Sequence, residues 1–180
     1  MPQTDAVAWP PPPIATERLV LRESEAQDRA AVIELFSSPE VGTYIGGAQP
    51  RDDLERAVPE VPGRRPGFFV VERDGATIGM VTFDPPDPEL PGDVRPNPED
   101  AQLGYLFLPH AWGRGYATEA CTAALGWFAD THPGAAVMSC TQTANEPSVR
   151  VLQKLGFTEV ERFQAYSAEQ WLGVWRSCTG

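Results

Sequence analysis

Gly104-Tyr105-Leu106-Phe107-Leu108-Pro109-His110-Ala111-Trp112-Gly113-Arg114-Gly115-Tyr116-Ala117-Thr118-Glu119-Ala120 is the stretch that decides the fold. Its start belongs to a strand-like run, 101–108, which Pro109 ends. Two glycines follow. Then Ala117, Ala120, Cys121, Ala124, Leu125 and Phe128 recur on one helical stripe, closed by His132-Pro133-Gly134. The pattern is strand, Gly-rich turn, helix. At a helix start the first N–H groups lack partners, and the macrodipole adds positive potential. Glycine lets that backbone close on an anion with no Cβ in the way, so a diphosphate is the natural guest. A tight loop that binds nothing is the alternative a bare G-x-G leaves open.

Two other phosphate loops fit poorly. The nucleotide-triphosphatase pattern G-x-x-x-x-G-K-[ST] is absent. A dinucleotide fold needs an acid at the end of the next strand, where this chain reads Ala135-Ala136-Val137-Met138-Ser139-Cys140.

Working outward, Arg18-Leu19-Val20-Leu21-Arg22 suits a short strand, and Ala30, Val32, Ile33 and Phe36 suit a helix ending at Ser37-Ser38-Pro39. Residues 51–58 read as a weaker helix. Asp74-Gly75 between two β-rich runs, 67–73 and 77–83, predicts a hairpin. Beyond the Gly-rich helix come a strand (135–141), a helix (145–155) closed by Gly156, and strands near 157–165 and 169–177. The fold class is mixed α/β with a largely antiparallel sheet. Residues 1–16, with Pro10-Pro11-Pro12-Pro13, read as a disordered tail, and 17–180 as one domain. Within it, 85–99 is a proline- and acid-rich insertion loop.

Bulk properties narrow the function. The 180 residues carry 42% hydrophobic and 22% charged residues, and no apolar run nears a membrane span. A net charge of −11 argues against nucleic acid and anionic lipid as partners. Cys121, Cys140 and Cys178 make no ligand pair and read as reduced thiols, so a cytoplasmic location is expected. No metal constellation exists. His110 reads as a surface histidine in a turn, and His132 suits a helix C-terminus.

The second motif is Asn145-Glu146-Pro147-Ser148-Val149-Arg150-Val151-Leu152-Gln153-Lys154-Leu155-Gly156-Phe157. Read locally it is a well-punctuated helix, with Asn145 as N-cap, Pro147 in the first turn and Gly156 at C′. Taken together with the Gly-rich block and Thr16-Glu17-Arg18-Leu19-Val20-Leu21-Arg22, it resembles the GNAT superfamily of N-acetyltransferases. Within it, the chain is similar to the ribosomal-protein N-terminal (Rim-type) acetyltransferases and their relatives, over about residues 16 to 177.

That resemblance implies a sheet splayed at the cofactor site, with helices on both faces. It implies acetyl-CoA as acyl donor, with the pantetheine arm beside Phe107 and Leu108. The pyrophosphate would lie on the amides of Gly113, Arg114, Gly115, Tyr116, Ala117 and Thr118, and Asn145 and Ser148 would face the thioester. An amine attacks that thioester directly, so the oxyanion and the departing sulfur each need a donor. An amide near Phe107 suits the first. Much of the superfamily uses a tyrosine on the last helix for the second, but its position here holds Leu152, and Ser148 looks like the substitute. Relatives often carry a glutamate where this chain has Gln102, which cannot be a base. Asp84, Glu99 and Asp100 remain as bases acting through water, or the minority free amine reacts unaided.

The expected activity is acetyl transfer to a primary amine of a small cationic molecule, aminoglycoside-like or polyamine, or to a protein N-terminus. A homodimer stays open. The alternatives are a CoA-binding module that has lost catalysis, favoured by Gln102 and Leu152, and transfer of a different acyl group.

Overall fold

In a computed structural model, which describes residues 8–91 and 96–178, the Gly-rich turn joins the fifth strand to the longest helix. The strands are β1 (Ile14–Ala15), β2 (Val20–Arg22), β3 (Phe68–Arg73), β4 (Ala76–Asp84), β5 (Ala101–Phe107), β6 (Ala136–Gln142), β7 (Thr158–Ala165) and β8 (Ala168–Arg176). The helices are α1 (Arg29–Ser37), α2 (Pro39–Gly42), α3 (Arg51–Ala57), α4 (Tyr116–Thr131) and α5 (Glu146–Leu155). One sheet runs β1-β2-β3-β4-β5-β6-β8-β7. Its pairs are antiparallel except β5 with β6, which the α4 crossover makes parallel.

Strand alternation sorts the core onto two faces. On one, Phe69, Val71, Val81, Phe83, Leu103 and Phe107 pack against Ala120, Cys121, Ala124, Leu125 and Phe128 of α4 and Leu152 of α5. On the other, Phe68, Val70 and Met80 pack against Leu35 of α1 and Val41 of α2. The β3–β4 turn is the expected one: Asp74 (φ 50°) and Gly75 (φ 82°) both take the left-handed conformation a tight hairpin requires. Among the described residues no helix is long and apolar enough to cross a membrane.

A buried ion pair fixes where β2 sits. Asp28 is fully buried, and its carboxylate accepts from Arg22 Nη1 (2.8 Å) and Nη2 (3.0 Å), the Glu25 amide (2.8 Å) and Thr77 Oγ1 (2.5 Å). Burial alone would raise its pKa. The hydrogen bonds from Arg22, Thr77 and the Glu25 amide outweigh burial and hold the carboxyl below its ordinary value.

The expected loose tail needs correction over its described part. Trp9 stacks edge-on against Phe69 (5.0 Å between ring centroids) and Trp127 (5.8 Å), and Ile14–Ala15 pairs with Val20–Leu21. The proline run carries the chain from an aromatic anchor to a strand edge, where prolines are tolerated. Residues 1–7 of the expected tail, and 92–95 of the insertion with its Asp93 and Arg95, lie outside the described residues.

Candidate functional site

The site begins where the sheet opens. β5 and β6 pair only at Ala101↔Val137 and Gln102↔Met138. Ser139 Oγ then donates to the Leu103 carbonyl (3.1 Å), and beyond that point the strands form a wedge. Backbone polar groups alternate sides along a strand. The Leu108 amide bonds back to Ile78 of the β4 side (2.9 Å), whereas Leu103 bonds toward β6. Tyr105 and Phe107 are in phase with Leu103, so their backbone groups are turned toward the wedge. Trp112 Nε1 takes the Phe107 carbonyl (2.8 Å), tying the turn to the strand end.

At that end Gly113 (φ 72°) and Gly115 (φ 79°) both lie in the left-handed region. A Cβ on Gly113 would meet nothing within 4 Å, and one on Gly115 only Arg18 Nη2 at 3.5 Å. The space above the turn is open, as a backbone cradle for an anion requires. Gly115 caps α4 without a side-chain bond, and the first intrahelical bond comes from the Glu119 amide. The amides of Tyr116, Ala117 and Thr118 precede it and are thus left for a ligand. Arg18 organises the turn from outside. Its Nη1 donates to the Arg114 carbonyl (3.0 Å), its Nε to Glu119 (3.1 Å), and its guanidinium lies 4.6 Å from the Tyr116 ring centroid. Arg73 approaches the same ring at 5.2 Å.

α5 supplies the wedge's other wall. The Asn145 side chain accepts from the Ser148 amide (3.4 Å), as an N-cap does, and Gly156 (φ 99°) ends the helix. Ser148 Oγ lies 2.6 Å from Tyr105 Oη, reaching across from α5 to β5. Burial raises the Tyr105 phenol far above its ordinary pKa, against the opposing hydrogen bond with Ser148, so it stays protonated. Leu152 is fully buried in the core and carries no chemistry.

On the opposite face of β5 is a cavity of ≈ 220 Å³ lined by Thr82, Asp84, Pro85, Asp87, Gln102, Leu103 and Gly104. Asp84 pairs with Arg65 (2.9 Å). Gln102 Oε1 accepts from the Asp87 amide (3.1 Å), so this side chain tethers the insertion loop. The Asp87 charge also acts on Cys140 of β6, whose thiol is pushed up to about 11 by burial first and then by that charge.

The turn residues Gly113 to Thr118 thus lie together at the wedge's end, and Ser148 and Asn145 beside it. Phe107 and Leu108 are buried on opposite faces, 6% and 3% exposed, so only their backbone borders the wedge. Asp100 is removed from the candidate bases. It is buried, and its two oxygens accept from the Ala136 and Asn97 amides (2.8 Å each), which pins the loop's exit. Arg18, Tyr105 and Trp112 stood in the quoted motifs without roles. Arg18 is 96 residues from its Arg114 partner and Tyr105 is 43 from Ser148, so no local spacing signals either contact.

Comparisons with known proteins bear on the family and the fold. The family model described as an acetyltransferase (GNAT) domain matches residues 18–158. The chain is 32% identical over 147 residues to the uncharacterized N-acetyltransferase YnaD of Bacillus subtilis (strain 168), covering 79% of this chain and 81% of that one. Among solved structures it is similar to a GNAT-family acetyltransferase from Bacillus anthracis (TM-score 0.73, 25% identity, 91% of this chain and 97% of that one). The fold also matches RimL, a ribosomal L7/L12 α-N-protein acetyltransferase in complex with coenzyme A (TM-score 0.70, 13% identity, 91% and 97% covered). It likewise matches AAC(6')-Ib in complex with ribostamycin and coenzyme A (TM-score 0.70, 16% identity, 88% and 93% covered).

Proposed function

The chain belongs to the GNAT acetyltransferase family, and from that premise we propose that it moves an acetyl group from acetyl-CoA to a primary amine of a small cationic molecule in the cytoplasm. The observation that carries this reading is the β5–β6 wedge, with open amides at one end and a hydroxyl pair along one side. The amides of 116–118, with Arg114 beside them, would hold the pyrophosphate. The N–H groups of Tyr105 and Phe107 face the wedge, where they can stabilise charge on the acetyl oxygen. Ser148 supports the departing sulfur from α5.

The acceptor is assigned to the cavity on the other face of β5. Among the described residues Asp87 makes no ion pair there, whereas Asp84 is paired with Arg65. The cavity therefore suits a cation, of which the uncharged fraction of one amine reacts. Both solved relatives bound to coenzyme A are consistent with amine acceptors: the name of one specifies a protein α-amine, and the other is complexed with an aminoglycoside. The test is thiol release from acetyl-CoA over a panel of aminosugars, polyamines and N-terminal peptides at rising salt. Polycations should be preferred and should lose rate as salt screens their approach. A salt-insensitive preference for neutral peptide N-termini would move the acceptor to a protein. Tight CoA binding with no release to any amine would favour the binding-module reading.

A further inference from the structure

We infer that Tyr105 is a positioning residue for the acyl transfer: its hydroxyl donates to Ser148 Oγ and thereby aims the serine proton at the departing sulfur. The inference rests on the proposed use of acetyl-CoA and deepens it. At 2.6 Å the two oxygens share one proton, and the other is free to point elsewhere. At that distance either oxygen could donate. The Ser148 carbonyl oxygen, which only accepts, competes weakly for the phenol proton at 3.4 Å, and Oγ at 2.6 Å is the stronger acceptor for it.

A serine in the first turn of a helix otherwise spends its proton on a nearby backbone carbonyl. Accepting from Tyr105 orients Ser148 Oγ instead, and a hydroxyl that accepts becomes a stronger donor. The phenol is suited to this task. Its ring packs against the α4-side core that holds the fully buried Cys121, and burial keeps it protonated. Tyr105 stands on β5 with its backbone turned to the wedge, so strand and α5 are joined beside the thioester's place.

In the step itself the amine nitrogen pair forms the C–N bond, and the C–S bond breaks with its electron pair leaving on sulfur. The nitrogen proton passes to solvent and the thiolate takes one from solvent. Ser148 gives a hydrogen bond and keeps its proton, and Tyr105 keeps its own, so neither side chain changes charge.

The test needs no acceptor. Calorimetry compares CoA with desulfo-CoA from about pH 7 to 9, across the ordinary thiol pKa. In the wild type, preference for CoA should grow with pH as bound thiolate collects the Ser148 hydrogen bond, by about ten-fold. Ser148→Ala and Tyr105→Phe should each flatten that gain, and the double variant should flatten it no further, because the two act as one unit. With an accepted amine, Tyr105→Phe should lower kcat by about ten-fold or more at unchanged acetyl-CoA KM. Should Tyr105→Phe not fold, site-specific 3-fluorotyrosine, a stronger donor of similar size, should raise the preference above wild type. Tyr105→Phe with full discrimination, where Ser148→Ala has lost it, overturns the role of Tyr105 alone. A flat wild-type curve overturns both hydroxyl roles, and absent CoA binding overturns the acetyl-CoA reading with them.

Discussion

The proposed donor end of the wedge is built from backbone and the proposed acceptor cavity, on the other face of β5, from side chains, and the two carry opposite charge. Around Gly113–Thr118, left-handed glycines and the first turn of α4 aim amides at open space, and Arg18, Arg73 and Arg114 gather there although the chain is −11 overall. Around the cavity on the other face, Asp84, Asp87 and Gln102 hang on a strand end and a proline-rich loop. An amide cradle recognises any diphosphate of the right shape, so it needs fixed φ angles more than particular side chains. Acceptor recognition rests on which side chains a loop presents, and it can change without disturbing the sheet.

The sharpest way to break this contrast is at the donor end. Gly115→Val forces a β-branched residue to φ 79° and reshapes the cradle, with only Arg18 Nη2 near the new Cβ. Losing two or more amide bonds to a charged phosphate should weaken CoA binding by at least about a hundred-fold. Calorimetry on a variant shown by circular dichroism to be folded checks it, and undiminished affinity would remove the cradle from the account. Next in size is Ser148→Ala, expected to lower kcat by roughly ten- to a thousand-fold with little change in cofactor KM. Full kcat under chemistry-limited conditions would return Ser148 to a helix-start residue.

Legibility followed the same division. Donor-end features are local in sequence: Gly113, Gly115 and the Ala117–Phe128 stripe are one continuous signal, as are Asn145, Pro147 and Gly156 around α5. The Asp74-Gly75 hairpin was legible for the same reason. What the pattern missed is long-range. Trp9 looked like part of a loose arm because four prolines follow it, and the rings it packs against, Phe69 and Trp127, are far away in sequence. Asp100 looked like one more acid of an acidic loop, and only the fold turns it into a buried acceptor for the Ala136 amide. Tyr105 gains its partner through a contact across 43 residues.

Arg18 tests whether the donor end relies on anything besides backbone. Its side chain is 40% exposed, so its ion pair with Glu119 contributes little by itself. Its bond to the Arg114 carbonyl and its place over Tyr116 do more, because they hold the turn in the shape that presents the amides. Arg18→Gln should raise the Kd for CoA by about ten-fold, the worth of one charge-assisted bond. Thermal stability should hardly change. Unaltered affinity would mean that the glycine conformations alone keep the turn open.

The smallest effect is expected at the acceptor end, from Asp87→Asn. The substitution keeps the backbone tether to Gln102 Oε1 and leaves an oxygen to accept the Glu89 amide, so the loop should hold its shape while losing one charge. If Asp87 attracts the acceptor, kcat/KM for polyamines and aminosugars should fall by about two- to five-fold at low salt, as expected for one partly screened charge. CoA affinity and turnover of neutral amines should stay at wild-type values. Cys140 gives an independent reading of whether that charge reaches β6. Its thiol is pushed up to about 11 by burial and then by Asp87. Removing the charge should therefore lower that value, and alkylation of Cys140 should begin at a lower pH in Asp87→Asn. The measurement is made in a Cys178→Ser background, since Cys178 is exposed and Cys121 buried. A lowered thiol pKa with unchanged polycation kinetics would place Asp87 beside the cavity but outside acceptor binding. An unchanged thiol and unchanged kinetics together would turn Asp87 toward solvent and, with Asp84 already neutralised by Arg65, would remove the charge contrast between the two regions.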